Sequence, residues 1–202
     1  MKLPFAIGGF AVAATIVACS SSSPGGPSSA YQVGVTGNFR LIQDAVNAAT
    51  AGTVVEVSGG KYSERVVVAK SIKLRATGAV LDGSGVGGTG IGILVSDAEN
   101  VEVSGFTVQN FERGIVLQNA SNAVVTGNEV RNNTAKSGPP YTFGVTPWEG
   151  IVLIASRNNE VSNNFSHDNG HDGLMVTSGS GGNRIRNNRF TDNGNQTPTS
   201  VG

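Results

Sequence analysis

The side chains best suited to acid–base chemistry include the only two histidines of the chain, His167 and His171, each followed directly by an aspartate. An imidazole beside a carboxylate exchanges a proton near neutral pH, and a guanidinium nearby binds an acidic group. Such a set suits proton transfer at a sugar carbon. The candidate catalytic residues are His171, Arg113, Glu149, Tyr141 and Asp172. For either histidine alone, a solvated turn residue is the simpler interpretation.

Aromatic residues accumulate between Asn133 and Gly150, in the segment TAKSGPPYTFGVTPWE, which also contains three prolines. The C–H faces of a sugar pack on aromatic rings, so a rigid aromatic loop suits a glycan. The candidate substrate-binding residues are Trp148, Phe143, Phe165 and His167. The alternative is a loop that folds its rings over a hydrophobic edge of its own domain.

Glycine followed by an alternating apolar run recurs along the chain at intervals of 22, 36 and 23 residues, at Gly92, Gly114, Gly150 and Gly173. A second series keeps nearly the same intervals, 22, 36 and 24, at Val103, Val125, Val161 and Ile185. Apolar residues alternate within each unit as in a β-strand, and a fixed period indicates stacked units. The sequence therefore predicts an all-β fold, a parallel β-helix of about six coils.

Asparagines recur three and eight residues after the second series. Stacking of the coils aligns them into ladders with a step of about 4.8 Å. Asparagine also tolerates left-handed backbone at a bend. The predicted ladders are Asn128, Asn164 and Asn188, and Asn133, Asn169 and Asn193, with Phe106 and Phe111 continuing the two columns. The aligned positions Val108, Val130, Ser166 and Phe190 are predicted to point inward.

Both series share one exception, an insertion of 13 residues before Gly150. Insertions in a solenoid project as loops and commonly line a binding face. The alignment places Glu112 and Arg113 in the same turn one coil earlier, and His171 and Asp172 one coil later. The candidate catalytic residues are therefore predicted to meet in neighbouring coils.

The segments FRLIQDAVNAA, GTVVEV, GKYSE and SIKL precede the repeat. With them, residues 39–195 resemble the right-handed parallel β-helix proteins of the pectin-lyase-like superfamily. The resemblance implies an N-terminal capping helix, with Asn38 as a suitable N-cap and one apolar face formed by Phe39, Ile42, Ala45, Val46 and Ala49. The superfamily includes lyases, hydrolases, esterases, epimerases and noncatalytic proteins, so the fold alone does not select a function.

The segment NFSHDNGHDGL, residues 164–174, is similar to a coil of alginate C5-epimerases. The Asp-Pro-His-Glu motif of those enzymes corresponds here to Thr146-Pro147-Trp148-Glu149, so its Asp and His are absent. In related lyases, clustered carboxylates hold Ca²⁺ and a basic residue removes the C5 proton. For such a reaction here we expect Arg113 or His171 as the base, assisted by Tyr141 or Glu149. The resemblance implies Ca²⁺ as a candidate cofactor, for which the candidate ligands are Asp168, Asp172 and Glu112.

Residues 1–18 combine Lys2 with a short apolar run, which is the layout of an export signal. Ile16-Val17-Ala18-Cys19 resembles the bacterial lipobox, which implies lipidation of Cys19 and a location that is lipid-anchored to the cell envelope or extracellular. We expect a Ser/Gly/Pro-rich tether at 19–37, a β-helix domain at 38–196 and a polar tail at 197–202. The alternatives are an ordinary cleaved signal peptide and a chain truncated after Gly202.

The composition excludes several classes of protein. Charged residues make up only 14% of the chain, which argues against a helical bundle, and the 14 basic and 14 acidic residues leave no excess for binding nucleic acid. One cysteine excludes a disulfide framework. We expect a monomer whose partners are a polysaccharide and, through a lipid anchor, a membrane, with no nucleic acid.

Two functions are compatible with the sequence. One is a surface-tethered protein that acts on acidic, uronate-containing polysaccharide by lyase-type or epimerase-type proton abstraction. The other is a noncatalytic lipoprotein that binds a glycan or another envelope component along the solenoid. The acid, base and cation of the aligned turn favour the first. The missing motif residues and the small number of coils favour the second.

Overall fold

The computed structural model describes residues 30–134, 148–177 and 179–194. Strands β1 to β18 of these residues form three parallel sheets. The first sheet contains β1 (Tyr31–Val33), β2 (Val54–Val57), β5 (Lys73–Ala76), β8 (Glu102–Ser104), β11 (Val124–Thr126), β14 (Glu160–Ser162) and β17 (Arg184–Arg186). The second contains β3 (Gly60–Tyr62), β6 (Ala79–Asp82), β9 (Thr107–Gln109), β12 (Glu129–Arg131), β15 (Phe165–His167) and β18 (Arg189–Thr191). The third contains β4 (Val66–Val68), β7 (Ile91–Ser96), β10 (Arg113–Gln118), β13 (Ile151–Ile154) and β16 (Leu174–Val176).

The chain visits the three sheets in turn, so each coil adds one strand to each sheet. The first coil consists of β2, β3 and β4, and the sixth contributes β17 and β18. The predicted parallel β-helix of about six coils is thus confirmed. Its core lies inside the coils, where one buried row from the first sheet consists of Val55, Leu74, Val103, Val125 and Val161.

The two predicted asparagine ladders are confirmed. Asn128 donates from Nδ2 to Oδ1 of Asn164 at 3.0 Å, and Asn164 donates to Oδ1 of Asn188 at 3.0 Å. In the second ladder the corresponding distances are 2.9 Å from Asn133 to Asn169 and 3.0 Å from Asn169 to Asn193. The ladders replace water as the partner of buried amides at two corners of the solenoid.

The left-handed residues of these bends lie one position before the ladder residues, not at them. Gly127 precedes Asn128 with φ 64°, and Asn163 precedes Asn164 with φ 56°. A left-handed residue there turns the chain, which lets the next side chain point inward into the ladder. A third ladder was missed from the sequence: Asn159 donates to Asn183 at 3.0 Å.

The capping helix α1 spans Ile42–Ala48 and packs on β1, β2 and β4. The expected N-cap at Asn38 is wrong, because the helix begins after Leu41, whose side chain makes no cap hydrogen bond. Instead the carboxylate of Glu64 accepts hydrogen bonds from the backbone N–H groups of Ile42 and Gln43 at 2.8 and 2.9 Å. A residue of the first coil therefore satisfies two of the free N–H donors at the start of the helix.

Strand β1 lies inside the segment expected to be a tether. It pairs with β2 in parallel, with Tyr31 opposite Val55, so the solenoid already includes Tyr31. The expected export signal and Cys19 lie outside the described residues. Within the described ranges, no helix has the length and apolar character needed to cross a membrane.

Asp82 links three coils through a buried carboxylate. It lies 2.8 Å from Nζ of Lys61 in the first coil and accepts hydrogen bonds from Gln109 and Asn110 in the third, at 3.0 and 2.9 Å. The N–H of Ser84 also donates to it. Burial alone raises the pKa of Asp82, but these partners outweigh burial and hold its pKa well below the usual range.

We expect this carboxylate to make stability pH-dependent. Because its pKa is lower in the folded state, its contribution is complete above the unfolded pKa of about 4 and is lost as the pH falls towards the folded value. The contribution is on the order of 2 kcal/mol. Urea denaturation of wild type and Asp82→Asn across acidic pH measures it. The exposed Glu99→Gln should retain the wild-type profile, and an identical profile in Asp82→Asn would contradict the prediction.

Candidate functional site

The turn between the second and third sheets stacks the residues that the repeat alignment brings together. The N–H of Trp148 donates to the carbonyl of Glu112 at 2.6 Å, and the N–H of His171 donates to the carbonyl of Trp148 at 2.9 Å. The strand register aligns Ile115, Ile151 and Leu174, so the preceding residues align as well. One stack contains Glu112, Trp148 and His171, and the adjacent stack contains Arg113, Glu149 and Asp172. Together we call these two stacks the turn column. The predicted meeting of these residues in three successive coils is therefore observed.

The corner glycines set the position of the turn column. A Cβ on Gly150 would lie 2.7 Å from the carbonyl oxygen of Gly173 and 2.9 Å from Nδ2 of Asn169, and against Oγ of Ser166. No side chain fits there, because overpacking of an interior forces backbone shifts. The glycines used as repeat markers thus allow neighbouring coils to approach closely at this corner, where Glu149 and its counterparts precede them.

Arg113 and Glu149 form an ion pair between the third and fourth coils. The Nε atom of Arg113 lies 3.2 Å from Oε2 of Glu149. The side chain of Glu149 is 0% exposed and that of Arg113 is 21% exposed. A guanidinium stays charged in proteins. The geometry therefore suits Arg113 to bind an acidic group better than to accept a proton.

His171 and Asp172 form the more accessible pair of the turn column. Nδ1 of His171 is buried and lies 3.0 Å from Oδ2 of Asp172, without the alignment of a hydrogen bond. The imidazole as a whole is 40% exposed, so its accessible part is not Nδ1. Both residues line a cavity of about 640 Å³, whose other walls include Leu174, Phe190 and Asn193. An acid–base pair thus opens onto a space large enough for a sugar.

The cavity walls on the sixth coil were not identified from the sequence as site residues. Phe190 continues the predicted inward row, but its side chain is 41% exposed because no described strand of the second sheet lies beyond β18. The signal was available in the alignment, since Phe190 and Asn193 occupy the positions of Ser166 and Asn169 one coil later. Equivalent repeat positions therefore pack the core in the fifth coil and line the cavity in the sixth.

The expected calcium ligands are not gathered into a site. The carboxylate of Glu112 accepts a hydrogen bond from the N–H of Gly90 at 2.9 Å. Asp168 lies 2.6 Å from Nδ1 of His167, and Asp172 lies beside His171. Among the described residues, no group of three or more His, Cys, Asp or Glu side chains is placed to hold a metal ion. The candidate ligands Asp168, Asp172 and Glu112 therefore do not lie together in one cluster.

Phe165 and His167 lie apart from the turn column, on the outer face of the second sheet. Their rings stack with centroids 4.0 Å apart, and the guanidinium of Arg189 lies 4.7 Å from the centre of the Phe165 ring. Nε2 of His167 is 3.1 Å from Oε1 of Glu129, which leaves the side chain only 13% exposed. The structure does not bring these two candidate substrate-binding residues to His171.

Two aromatic candidates, Tyr141 and Phe143, lie outside the described residues. Trp148 is the first described residue after them, and its backbone has φ 94°. Such a value is uncommon for a residue other than glycine and marks a sharp change of direction. It occurs where the chain enters the turn column, between Glu112 and His171 in the stack.

Two relatives are similar to this chain in sequence over part of their own length. The chain is 29% identical over 182 residues to the cell surface glycoprotein of Methanothermus fervidus, covering 80% of this chain and 30% of that protein. It is 33% identical over 100 residues to the 3-dehydroshikimate dehydratase of Acinetobacter baylyi, covering 50% of this chain and 20% of that enzyme. The chain thus spans less than a third of either relative.

A solved structure gives the same picture of the fold. The crystal structure of an alginate lyase from Paenibacillus superposes with a TM-score of 0.59 and 19% identity, over 73% of this chain and 54% of the lyase. Similarity at this identity concerns the fold alone.

The sequence model described as the right handed beta helix region matches residues 49–201. The match covers well over half of the chain, and the chain therefore belongs to the right-handed β-helix family.

Proposed function

We propose that this protein is exported to the cell surface, where it acts on an acidic polysaccharide at the turn column. One observation carries the proposal: the pair of His171 and Asp172 opens onto a cavity of about 640 Å³ and lies one coil from the ion pair of Arg113 and Glu149. The location is supported by the similarity to a cell surface glycoprotein, and lipidation of Cys19 provides the anchor.

The chemistry that suits these groups is removal of the C5 proton of a uronate residue. The guanidinium of Arg113 binds the sugar carboxylate, which stabilises negative charge that develops next to C5. His171 accepts the proton at Nε2, and the carboxylate of Asp172 stabilises the imidazolium that forms. In elimination the C4–O bond then breaks, its electrons leave with the oxygen, which takes a proton from water, and an unsaturated sugar remains. In epimerisation water instead returns a proton to C5 from the opposite face.

His171→Ala should reduce turnover on a uronate polymer by about 10² to 10⁴-fold, because the general base is removed. Purified protein is incubated with a panel of uronate polymers, with and without Ca²⁺. Ultraviolet absorbance detects the unsaturated product and NMR detects proton exchange at C5. His167→Ala is the matched control, since that histidine lies outside the turn column. An equal loss in both variants would contradict the assignment of His171 as the base.

A noncatalytic glycan-binding protein is the second candidate. It is favoured by the ion pair that holds Arg113 against a fully buried carboxylate, and by the departure from the epimerase motif at Thr146 and Trp148. This function predicts no product from any polymer and measurable binding by calorimetry. Binding should be lost in Trp148→Ala, because an indole ring supplies most of the contact area for a sugar face. Product formation that depends on His171 would exclude it.

A further inference from the structure

Three Asn-Xaa-Ser/Thr sequences lie within the described residues, at Asn119, Asn132 and Asn164. This sequence is the acceptor for attachment of a glycan to the asparagine amide in exported proteins, provided that the asparagine is accessible. The three asparagines differ sharply in accessibility and in hydrogen bonding, so the structure discriminates among them.

Asn164 is sealed inside the solenoid. It is 2% exposed, and its Nδ2 donates to the carbonyl of Val125 at 2.9 Å and to Oδ1 of Asn188 at 3.0 Å. The hydroxyl-bearing residue of its sequence, Ser166, is 0% exposed and donates to the carbonyl of Gly173. A transferase cannot reach either group in the folded protein.

Asn119 is exposed but engaged. Its Nδ2 donates to Oδ1 of Asp97 in the preceding coil at 3.0 Å. Asn119 belongs to a bend between the third and first sheets, where Ser121 forms backbone bridges with Glu99 and Arg157. The acceptor sequence is therefore held on both sides by neighbouring coils.

Asn132 is the accessible acceptor. It is exposed, has a left-handed backbone with φ 52°, and makes no side-chain hydrogen bond within the described part of the chain. It follows β12 directly, and Thr134, which completes the sequence, is partly exposed. The equivalent positions in the next two coils are Asp168 and Asp192, both left-handed with φ 53°. A left-handed asparagine or aspartate is thus a regular feature of this corner.

We propose that Asn132 is an N-glycosylation site. Its amide nitrogen attacks C1 of the first sugar of a lipid-linked oligosaccharide pyrophosphate. The N–C1 bond forms as the C1–O bond to the pyrophosphate breaks. The bonding electrons leave with the lipid pyrophosphate, the amide proton passes to a base, and nothing is oxidised or reduced. The inference needs export, as the proposed function does, but it does not depend on chemistry at the turn column.

The test treats the purified full chain, folded, with an oligosaccharyltransferase that accepts plain Asn-Xaa-Ser/Thr peptides and with its lipid-linked oligosaccharide. Intact mass and glycopeptide mapping locate the product, and an acceptor peptide shows that the transferase is active. Among the three acceptor sequences of the described residues, we expect a glycan on Asn132 alone. Glycopeptide mapping separates it from any glycan at Asn195-Gln196-Thr197, which lies outside the described residues. It should be absent from Asn132→Asp, which keeps a residue that this corner uses elsewhere, and from Thr134→Ala, and it should be retained in Thr134→Ser.

The denatured chain provides the control for accessibility. Unfolding should add glycan at Asn164, because its amide and the hydroxyl of Ser166 are then free of the solenoid. An unmodified Asn132 in the folded chain, in a reaction that modifies the acceptor peptide, would overturn the inference. Modification of Asn164 in the folded chain would overturn the ranking by accessibility. Since mass is the readout, either result is separate from failure to act on a polysaccharide.

Discussion

Asn169→Ala should lower the free energy of unfolding by about 4 kcal/mol, since several buried polar groups lose their partners together. Oδ1 of Asn169 accepts from N and Nδ2 of Asn133 at 3.2 and 2.9 Å. Its Nδ2 lies 3.1 Å from the carbonyl of Val130, 3.0 Å from Oγ of Ser166 and 3.0 Å from Oδ1 of Asn193. Each buried group left unsatisfied costs about 1–3 kcal/mol.

Urea denaturation followed by circular dichroism measures this change. Asn47→Ala, at an exposed position of α1, is the matched control and should shift the free energy of unfolding by no more than about 0.5 kcal/mol. If the two variants were equally stable, the ladder would contribute no more to stability than a surface amide does. The proposed stabilisation of the solenoid by the ladder would then be rejected.

Arg113→Met should destabilise the fold by about 3 kcal/mol, because it leaves the fully buried carboxylate of Glu149 without its guanidinium partner. Methionine keeps most of the apolar stem, so the loss reports on the charge. Glu149→Gln should cost less, since Arg113 retains 21% exposure to water. The double variant should be more stable than Arg113→Met alone, because Glu149→Gln removes the buried charge that Arg113 neutralises.

A double-mutant cycle of urea denaturation measures this coupling. Strict additivity of the two single changes would contradict a direct interaction. The result also bears on the proposed function, because loss of activity in an Arg113 variant is informative only where the fold survives. Arg113→Lys, which keeps the charge, is the variant to compare with His171→Ala in activity measurements.

The features that follow from the repeat were predictable from sequence. In-register stacking places residues with equal repeat positions beside each other, so the spacing of Asn128 and Asn164 in the sequence is sufficient to predict a ladder. The meeting of Arg113, Glu149 and His171 in one turn follows from the same rule. The repeat period predicts which residues lie side by side, because stacked parallel coils allow almost no shift in strand register.

Contacts that depend on a single partner were not predictable. Glu64 caps α1 from outside the helix, and no local signal near Asn38 reveals it. The complete burial of Glu149 likewise depends on how the neighbouring coils close around it. The separation of Phe165 and His167 from the site could have been predicted from the sequence. Side chains alternate along a strand, so an inward Ser166 places both of its neighbours on the outer face of the sheet.

The alignment of Gly92 with Gly114, 22 residues apart, has a consequence for how such genes change. A tandem duplication of one repeat length inserts a complete coil whose strands and corner glycine meet the same neighbours as before. The 13 extra residues before Gly150 show that a single turn can also gain residues without a change in strand register, because Ile115 still pairs with Ile151. Recombination can therefore lengthen the solenoid or remodel one loop as separate events, while α1 continues to close the same end.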